Sequence, residues 1–291
     1  MMNLSARYAA LKQKVGGNYE KKQFEFTMRP TCQESNRITP PSKANRRILS
    51  EIQFALGLSG QNAGKYDDLI DRALALLEKE MAEEGVLTKR ACDAGADAVL
   101  VVTPYYNKAT QSGLIAHFTA VADVSTVPVI LYNVPGRTGC NLQPKTLATL
   151  AEHPNIVALK EASGNMAQFM EMMRVAGDKI DIYSGEDALT APMMSMGGKG
   201  AISVLSNVVP ALAVAMTDAA KAGDYEKAAA LQLKLLPLIN ALFSQVNPIP
   251  AKAAVSAMGY GEENIRLPLT PMEEPFRSKL FEELRKLGVT V

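Results

Sequence analysis

The sequence is poor in the residues from which metal centres and covalent cross-links are built. It has two histidines, His117 and His153, which lie far apart in the chain, and three cysteines that lack the spacing of a zinc site. A metal centre is therefore not expected. Because a sparse and odd number of cysteines is typical of a reducing cytosol, we expect a cytoplasmic protein.

Long apolar runs and an excess of one charge are also absent. No stretch approaches the roughly 18 apolar residues of a membrane helix, and the N-terminal end lacks the apolar core of a signal peptide. Lysine plus arginine number 31 against 30 for aspartate plus glutamate, so the formal net charge is +1. We therefore expect neither nucleic acid nor a membrane as a partner.

From residue 95 onward, short apolar runs rich in β-branched residues alternate with amphipathic helical patterns. The runs lie at residues 98–103, 127–132, 156–160, 180–184 and 201–205. Buried strands that alternate with helices predict a parallel sheet covered on both faces. Polar side chains follow the carboxyl ends of the runs, as in a (β/α)8 barrel, and no Gly-rich dinucleotide motif follows a strand. The pattern predicts an α/β fold of the (β/α)8 TIM-barrel type.

The sequence predicts three parts along the chain. For residues 1–87 the sequence predicts mostly helix and loop, with a strand at 24–28 and helices at 46–58 and 66–84. Residues 88–222 hold the five recognisable βα units, and residues 223–291 form a C-terminal helical region. Helical spacing in and before that region falls at 210–222, 225–243, 250–258 and 272–287. Because a barrel of this type has eight units, five of them predict an incomplete barrel.

A lysine ends the third apolar run, in Ile156-Val157-Ala158-Leu159-Lys160-Glu161. Burial at the end of a strand disfavours the ammonium and lowers the pKa. A neutral amine can then attack a carbonyl group and form a Schiff base. The alternative is a lysine that extends from the strand end into solvent. This segment alone leaves both interpretations open.

Five motifs carry a resemblance to a known family. They are Val102-Thr103-Pro104-Tyr105-Tyr106-Asn107-Lys108, Tyr132-Asn133-Val134-Pro135-Gly136-Arg137-Thr138-Gly139, Leu159-Lys160-Glu161-Ala162-Ser163-Gly164-Asn165, Tyr183-Ser184-Gly185-Glu186-Asp187 and Asn247-Pro248-Ile249-Pro250-Ala251-Lys252. In this order and spacing, residues 88–291 resemble the dihydrodipicolinate synthase branch of the pyruvate-lyase barrels, which also includes N-acetylneuraminate lyase. The resemblance covers roughly two thirds of the chain.

The resemblance implies a carbon–carbon lyase or synthase that condenses pyruvate with aspartate semialdehyde, toward diaminopimelate and lysine. It implies that Lys160 forms the Schiff base with pyruvate, so that no external cofactor is needed. Tyr132 would contact the substrate and relay protons to and from the imine. Tyr106 would reach across a dimer contact and complete the relay in a neighbouring subunit. The expected assembly is therefore a homo-oligomer, a dimer or a tetramer.

Three further residues are assigned to substrate binding by the same resemblance. Arg137 would bind the carboxylate of aspartate semialdehyde, and backbone groups near Gly185 and Ile202 would line the pyruvate pocket. A planar guanidinium suits a carboxylate because it can donate two parallel hydrogen bonds. Taken singly, Arg137 could also be a solvated loop residue, Tyr106 a core aromatic, and the Glu186-Asp187 pair a helix N-cap.

One family motif is absent from the first third of the chain. Family members carry a Gly-Thr-Thr-Gly-Glu motif whose hydroxyls hold the pyruvate carboxylate, and residues 1–90 contain no match to it. Activity is therefore expected to be feeble or absent. Two alternatives stay open: another pyruvate-dependent aldolase of the same barrel, and a non-catalytic barrel remnant that acts as a scaffold or binding module.

Overall fold

The computed structural model of the chain describes Gly85 and residues 87–291. These residues lie in one compact unit, Lys79–Val291. The predicted strand at 24–28 and the predicted helices at 46–58 and 66–84 lie outside the described residues, as does the question of how the barrel closes.

A parallel sheet forms the centre of the described part. Its four strands are β1 (Val99–Val102), β2 (Val129–Asn133), β3 (Ile156–Glu161) and β4 (Asp181–Ser184), and they lie side by side in chain order. Each neighbouring pair is parallel. Valine, isoleucine and leucine supply most of the strand residues, and such residues favour a pleated, buried surface.

One or two helices follow each strand of the sheet. They are α1 (Gln111–Val124), α2 (Pro135–Thr138), α3 (Pro144–Leu150), α4 (Met166–Ala176) and α5 (Thr190–Ser195). The side chains of Thr110 and Asn165 cap α1 and α4 by accepting hydrogen bonds from backbone N–H groups of the first turn. One apolar core joins these helices to the sheet, and Phe118, Leu131 and Phe169 are among its fully buried members.

Four more helices follow the sheet. They are α6 (Pro210–Lys221), α7 (Tyr225–Leu242), α8 (Ile249–Ala257) and α9 (Phe276–Lys286). A second core of buried residues holds them together, with Leu235, Ala253 and Leu284 at its centre. The predicted C-terminal helical region is confirmed, whereas the boundary between 88–222 and 223–291 stays a prediction. None of the helices in the described residues is both long and apolar enough to cross a membrane.

The predicted strand at 201–205 is not formed as predicted. Only Ala201 makes a parallel bridge, to Ser184, and Leu205–Asn207 is a short 3-10 helix. The chain turns because the carboxylate of Asp187 accepts hydrogen bonds from the backbone N–H groups of Val204, at 2.9 Å, and Leu205, at 2.8 Å. Those N–H groups are then no longer available for a sheet.

The pairing of β2 with β3 contains a one-residue shift. Val129 lies opposite Ile156, whereas Ile130 lies opposite Ala158, so that Val157 has no partner in β2. Such a bulge places an extra residue in one of two paired strands. After it the register is regular, and Tyr132 lies opposite Lys160.

Candidate active site

The candidate site lies at the carboxyl ends of β2, β3 and β4. Lys160 lies beside Tyr132 of β2 on one side and Tyr183 of β4 on the other. Residues in register on parallel strands point to the same face of a sheet. The Nζ atom of Lys160 is 4.4 Å from the centre of the Tyr132 ring. The structure therefore brings together two of the three residues that were predicted to carry the chemistry, Lys160 and Tyr132, at the edge where barrel enzymes hold their sites.

Gly185 leaves room for the side chain of Lys160. A Cβ atom at position 185 would lie 2.9 Å from both Cγ and Cε of Lys160 and 2.8 Å from Cβ of Ala162. These distances are shorter than ordinary contacts between carbon atoms, about 3.5–4.0 Å. The backbone N–H of Gly185 also donates to the carbonyl oxygen of Glu161 at 2.7 Å. The predicted site residue Gly185 therefore lies directly against the lysine.

The surroundings of Lys160 favour its neutral form. Burial lowers the pKa of Lys160, the nearby positive charge of Arg137 lowers it further, and the negative charge of Asp187 opposes both. Burial likewise raises the pKa of the Tyr132 phenol, with Glu186 adding to the effect and Arg137 opposing it. The arrangement therefore supplies an amine that loses its proton more readily than an ordinary lysine, next to a phenol that keeps its proton.

Arg137 lies on the short helix α2, directly after β2, and its side chain is exposed. Its Nη2 atom donates to the backbone carbonyl oxygen of Asn247, 3.2 Å away, in the segment that precedes α8. The positive charge lowers the pKa values of both Lys160 and Tyr132. A guanidinium has five N–H donors, so the bond to Asn247 leaves donors for a carboxylate.

Tyr106 is not part of the core. Its side chain is 88% exposed, and its neighbour Tyr105 is 64% exposed. The backbone of Tyr106 has a φ of 70°, which is uncommon for a residue other than glycine. The interpretation as a core aromatic is therefore wrong, whereas its role across a dimer contact stays a prediction.

The segment after β4 contains two predicted residues, Glu186 and Ile202, and one residue, Asp187, whose contacts the sequence does not show. Glu186 caps a 3-10 helix, Asp187–Leu189, by accepting a hydrogen bond from the N–H of Ala188, which confirms the predicted N-cap. Asp187 lies in the first turn of this helix and is buried. Ile202 donates its backbone N–H to the carbonyl oxygen of Ser184 at 2.8 Å. This places the predicted site residue Ile202 beside the end of β4.

The fold and this site indicate a class of proteins, and a sequence comparison then identifies the family. A parallel barrel-type sheet with a lysine and a tyrosine side by side at its carboxyl edge defines a class of barrel lyases and synthases. The profile of the dihydrodipicolinate synthetase family matches residues 80–287, and the chain belongs to this family.

Curated relatives support the same family. The chain is 53% identical over 199 residues to the 4-hydroxy-tetrahydrodipicolinate synthase of Geobacter sulfurreducens. The aligned region covers 68% of this chain and 69% of the relative. It is 52% identical over 202 residues to the enzyme of the same name from Alkaliphilus oremlandii, covering 69% of this chain and 70% of the relative. The predicted family and enzyme class are therefore confirmed.

Solved structures agree in fold. Dihydrodipicolinate synthase from Cyanidioschyzon merolae, with lysine bound, matches with a TM-score of 0.68 at 41% identity and covers 70% of each chain. The chloride-inhibited dihydrodipicolinate synthase of Acinetobacter baumannii, complexed with pyruvate, matches with a TM-score of 0.69 at 44% identity and again covers 70% of each chain. The predicted (β/α)8 TIM-barrel type is confirmed.

Proposed function

We propose that this chain condenses pyruvate with aspartate semialdehyde through a Schiff base on Lys160, the reaction of a 4-hydroxy-tetrahydrodipicolinate synthase. The observation that carries the proposal is the half-buried amine of Lys160, 4.4 Å from the Tyr132 ring centre at the carboxyl edge of the sheet. The lowered pKa of Lys160 supports its role as the nucleophile.

The proposed chemistry needs only groups of this chain and the two substrates. The neutral amine of Lys160 attacks the carbonyl carbon of pyruvate to give a carbinolamine, which takes up one proton and loses water to give a cationic imine. The imine makes the pyruvate methyl group acidic, and Tyr132 relays the proton that is released. The resulting enamine attacks the aldehyde carbon of aspartate semialdehyde: a carbon–carbon bond forms, the aldehyde oxygen takes up a proton to become a hydroxyl, and the cationic imine returns. Attack of the substrate's own amine on the imine carbon then displaces Lys160 and releases the product. Tyr106 of a neighbouring copy completes the relay in a homo-oligomer.

Substrate binding in this proposal uses the residues around the lysine. Arg137 holds the carboxylate of aspartate semialdehyde by charged hydrogen bonds. Backbone groups near Gly185 and Ile202 line the pyruvate pocket. We place the reaction in the cytoplasm, since the few cysteines include two free thiols, Cys92 and Cys140, and form no metal-ligand pattern.

The missing Gly-Thr-Thr-Gly-Glu motif keeps a second candidate open. Without its hydroxyls, the carboxylate of pyruvate would lose donors that help to orient the imine. We therefore propose that turnover is feeble, and a non-catalytic barrel remnant is the alternative. The two candidates differ in whether pyruvate forms a covalent adduct at all.

Trapping with borohydride distinguishes these candidates. We expect pyruvate followed by borohydride to leave a reduced adduct on the peptide that contains Lys160. Since burial lowers the pKa of Lys160, the trapping rate should rise with pH and reach half its maximum below the pKa of an ordinary lysine. Mass spectrometry of the digest locates the label. A label on Lys199 or Lys252 would refute the assignment, and no label at all would support the non-catalytic remnant.

Replacing Arg137 by alanine is expected to impair the use of aspartate semialdehyde much more than the use of pyruvate. A lost charged hydrogen bond costs about 1.5–3 kcal/mol, so use of aspartate semialdehyde should fall by about one to two powers of ten. Formation of the pyruvate imine should change much less. Steady-state kinetics with varied aspartate semialdehyde, together with the trapping rate, measures both steps.

The matched control is Arg174→Ala, because Arg174 is an exposed arginine of α4 that pairs with Glu171. This control should leave both steps unchanged. If Arg137→Ala reduced imine formation and aspartate semialdehyde use equally, Arg137 would be a structural residue instead of a substrate ligand.

A further inference from the structure

Two buried polar residues stand directly behind the candidate site. Asn133 follows Tyr132 at the end of β2, and Glu161 follows Lys160 at the end of β3. Side chains alternate along a strand, so Asn133 and Glu161 point to the face opposite the lysine. Asn133 is 0% exposed and Glu161 is 3% exposed. A carboxyl group this deeply buried is rare unless it has partners.

The carboxylate of Glu161 has two hydrogen-bond donors. Nδ2 of Asn133 donates to Oε2 at 2.8 Å, and the backbone N–H of Ser163 donates to Oε1 at 2.8 Å. Asn133 and Glu161 are also opposite each other in the β2–β3 register, immediately after the pair formed by Tyr132 and Lys160. The side-chain bond therefore ties the two strands together one residue beyond the catalytic pair.

The same pair is anchored to the surrounding chain. Oδ1 of Asn133 accepts from the backbone N–H of Leu142 at 2.9 Å, and its Nδ2 also lies 2.9 Å from Oδ1 of Asn141. Asn141 in turn exchanges hydrogen bonds with Gln168 of α4. The strand ends, the loop after α2 and helix α4 thus share one polar network.

We propose that Glu161, through its hydrogen bond to Asn133, is a positioning residue that holds Lys160 against Tyr132. The inference rests on the proposed function, because it assigns Glu161 to the placement of the Schiff-base lysine. Backbone bonds from Ala162 to Asn133 and from Gly185 to Glu161 still hold the end of β3 when this bond is lost. The strand end then keeps its pairing but loses a side-chain restraint, and the amine of Lys160 moves with it. Misplacement by about 1 Å can lower a rate by about 100-fold, so this bond can matter for the reaction without contacting substrate.

The network requires a group that accepts both hydrogen bonds. Burial raises the pKa of Glu161, while its bonds to Ser163 and Asn133 oppose that shift. A glutamine at position 161 could accept from Ser163 only, and its NH2 group would face the NH2 group of Asn133. Rotating the amide of Asn133 would move the mismatch to the N–H of Leu142. Glu161→Gln therefore keeps the size of the side chain and breaks one bond.

The test compares Glu161→Gln with the native chain by the rate of borohydride-trapped imine at saturating pyruvate. We expect the rate to fall by about 10- to 100-fold. The pyruvate concentration for half-maximal trapping should change by less than about threefold, since Glu161 makes no substrate contact in this proposal. The pH of half-maximal rate should not move, because burial, Asp187 and Arg137 are what shift the pKa of Lys160. Circular dichroism and the melting temperature verify that the variant is folded.

Two further variants sharpen the test. Glu283→Gln replaces another buried carboxylate, which pairs with Lys279 and Lys286 on α9, and it should leave the trapping rate unchanged. The double variant Asn133→Asp with Glu161→Gln exchanges donor and acceptor across the strands, and rotation of the paired Asn141 and Gln168 amides together completes the new network. This double variant should recover most of the trapping rate. Asn133→Asp alone should be slow, because it places the carboxylates of residues 133 and 161 opposite each other.

Each outcome decides one claim. A native chain that forms no adduct overturns the proposed function and this inference with it. A native chain that is labelled on Lys160 while Glu161→Gln reacts at the native rate overturns only the positioning role. A shift of the pH midpoint would show that Glu161 acts by its charge and would also overturn it. A double variant that is no faster than either single variant would reduce Glu161 to a packing residue.

Discussion

Replacing Lys160 by methionine is expected to abolish the pyruvate adduct. Methionine keeps most of the length and apolar volume of the side chain and removes the amine that attacks the carbonyl. Loss of a covalent nucleophile typically costs about four or more powers of ten in rate. The measurement is mass spectrometry of the intact chain after pyruvate and borohydride, combined with a coupled assay of condensation.

The fold should tolerate this substitution. The pKa of Lys160 is lower in the folded chain than in the unfolded chain, so between those two values the unfolded chain binds more protons and stability rises with pH. Below that window the folded chain carries a poorly solvated ammonium, which methionine removes. Lys160→Met should therefore melt no lower than the native chain at neutral pH. Lys199→Met is the control, because Lys199 is an exposed lysine near Asp181; if this control lost the adduct, the assignment of Lys160 would fail.

Replacing Tyr132 by phenylalanine should give the second largest loss. The ring remains beside Lys160, and only the hydroxyl that relays protons is removed. General acid–base catalysis contributes about 10²- to 10⁴-fold, and we expect a loss in that range. The readout is the exchange of pyruvate methyl protons with deuterated water, followed by nuclear magnetic resonance, because this exchange needs the imine and the proton relay but no second substrate.

Tyr183→Phe supplies the matched control for that experiment. Tyr183 lies opposite Lys160 on the other neighbouring strand, β4, and has no proposed role in proton transfer. It should retain exchange within about threefold of the native chain, because substitutions that remove no specific interaction usually have small effects. Equal losses in both variants would indicate that the two hydroxyl groups affect the surroundings of the lysine alike and that Tyr132 is not the specific relay.

The sequence was sufficient for the sheet and the central site because both have local signals. Apolar β-branched runs mark β1 to β4, and Lys160 and Tyr132 end two of them. The run at 201–205 has the same composition and still fails to form a strand. Its backbone N–H groups bind Asp187, which lies 17 and 18 positions earlier in the chain, and no local pattern records such a contact.

Long-range hydrogen bonds are the contacts around the site that the sequence did not reveal. Arg137 donates to Asn247 across 110 positions, and Asn133 donates to Glu161 across 28. Each of these residues belongs to a motif, but the motif does not show which atoms meet. An acid directly after Lys160 was visible in the sequence, but only the structure shows that it is buried and that Asn133 is its partner.

Because Val157 has no partner in β2, the number of residues between Ile156 and Lys160 determines which residue of β2 lies opposite the lysine. If β3 started at Ile156 and ran without a bulge, Tyr132 would lie opposite Leu159, and Asn133 opposite Lys160. Such a one-residue slip exchanges the two faces of a strand. Relatives in which a residue is gained or lost between Ile156 and Lys160 would therefore need a compensating change in β2. A gap inside β3 in an alignment of relatives therefore indicates that a different residue of β2 lies opposite the lysine.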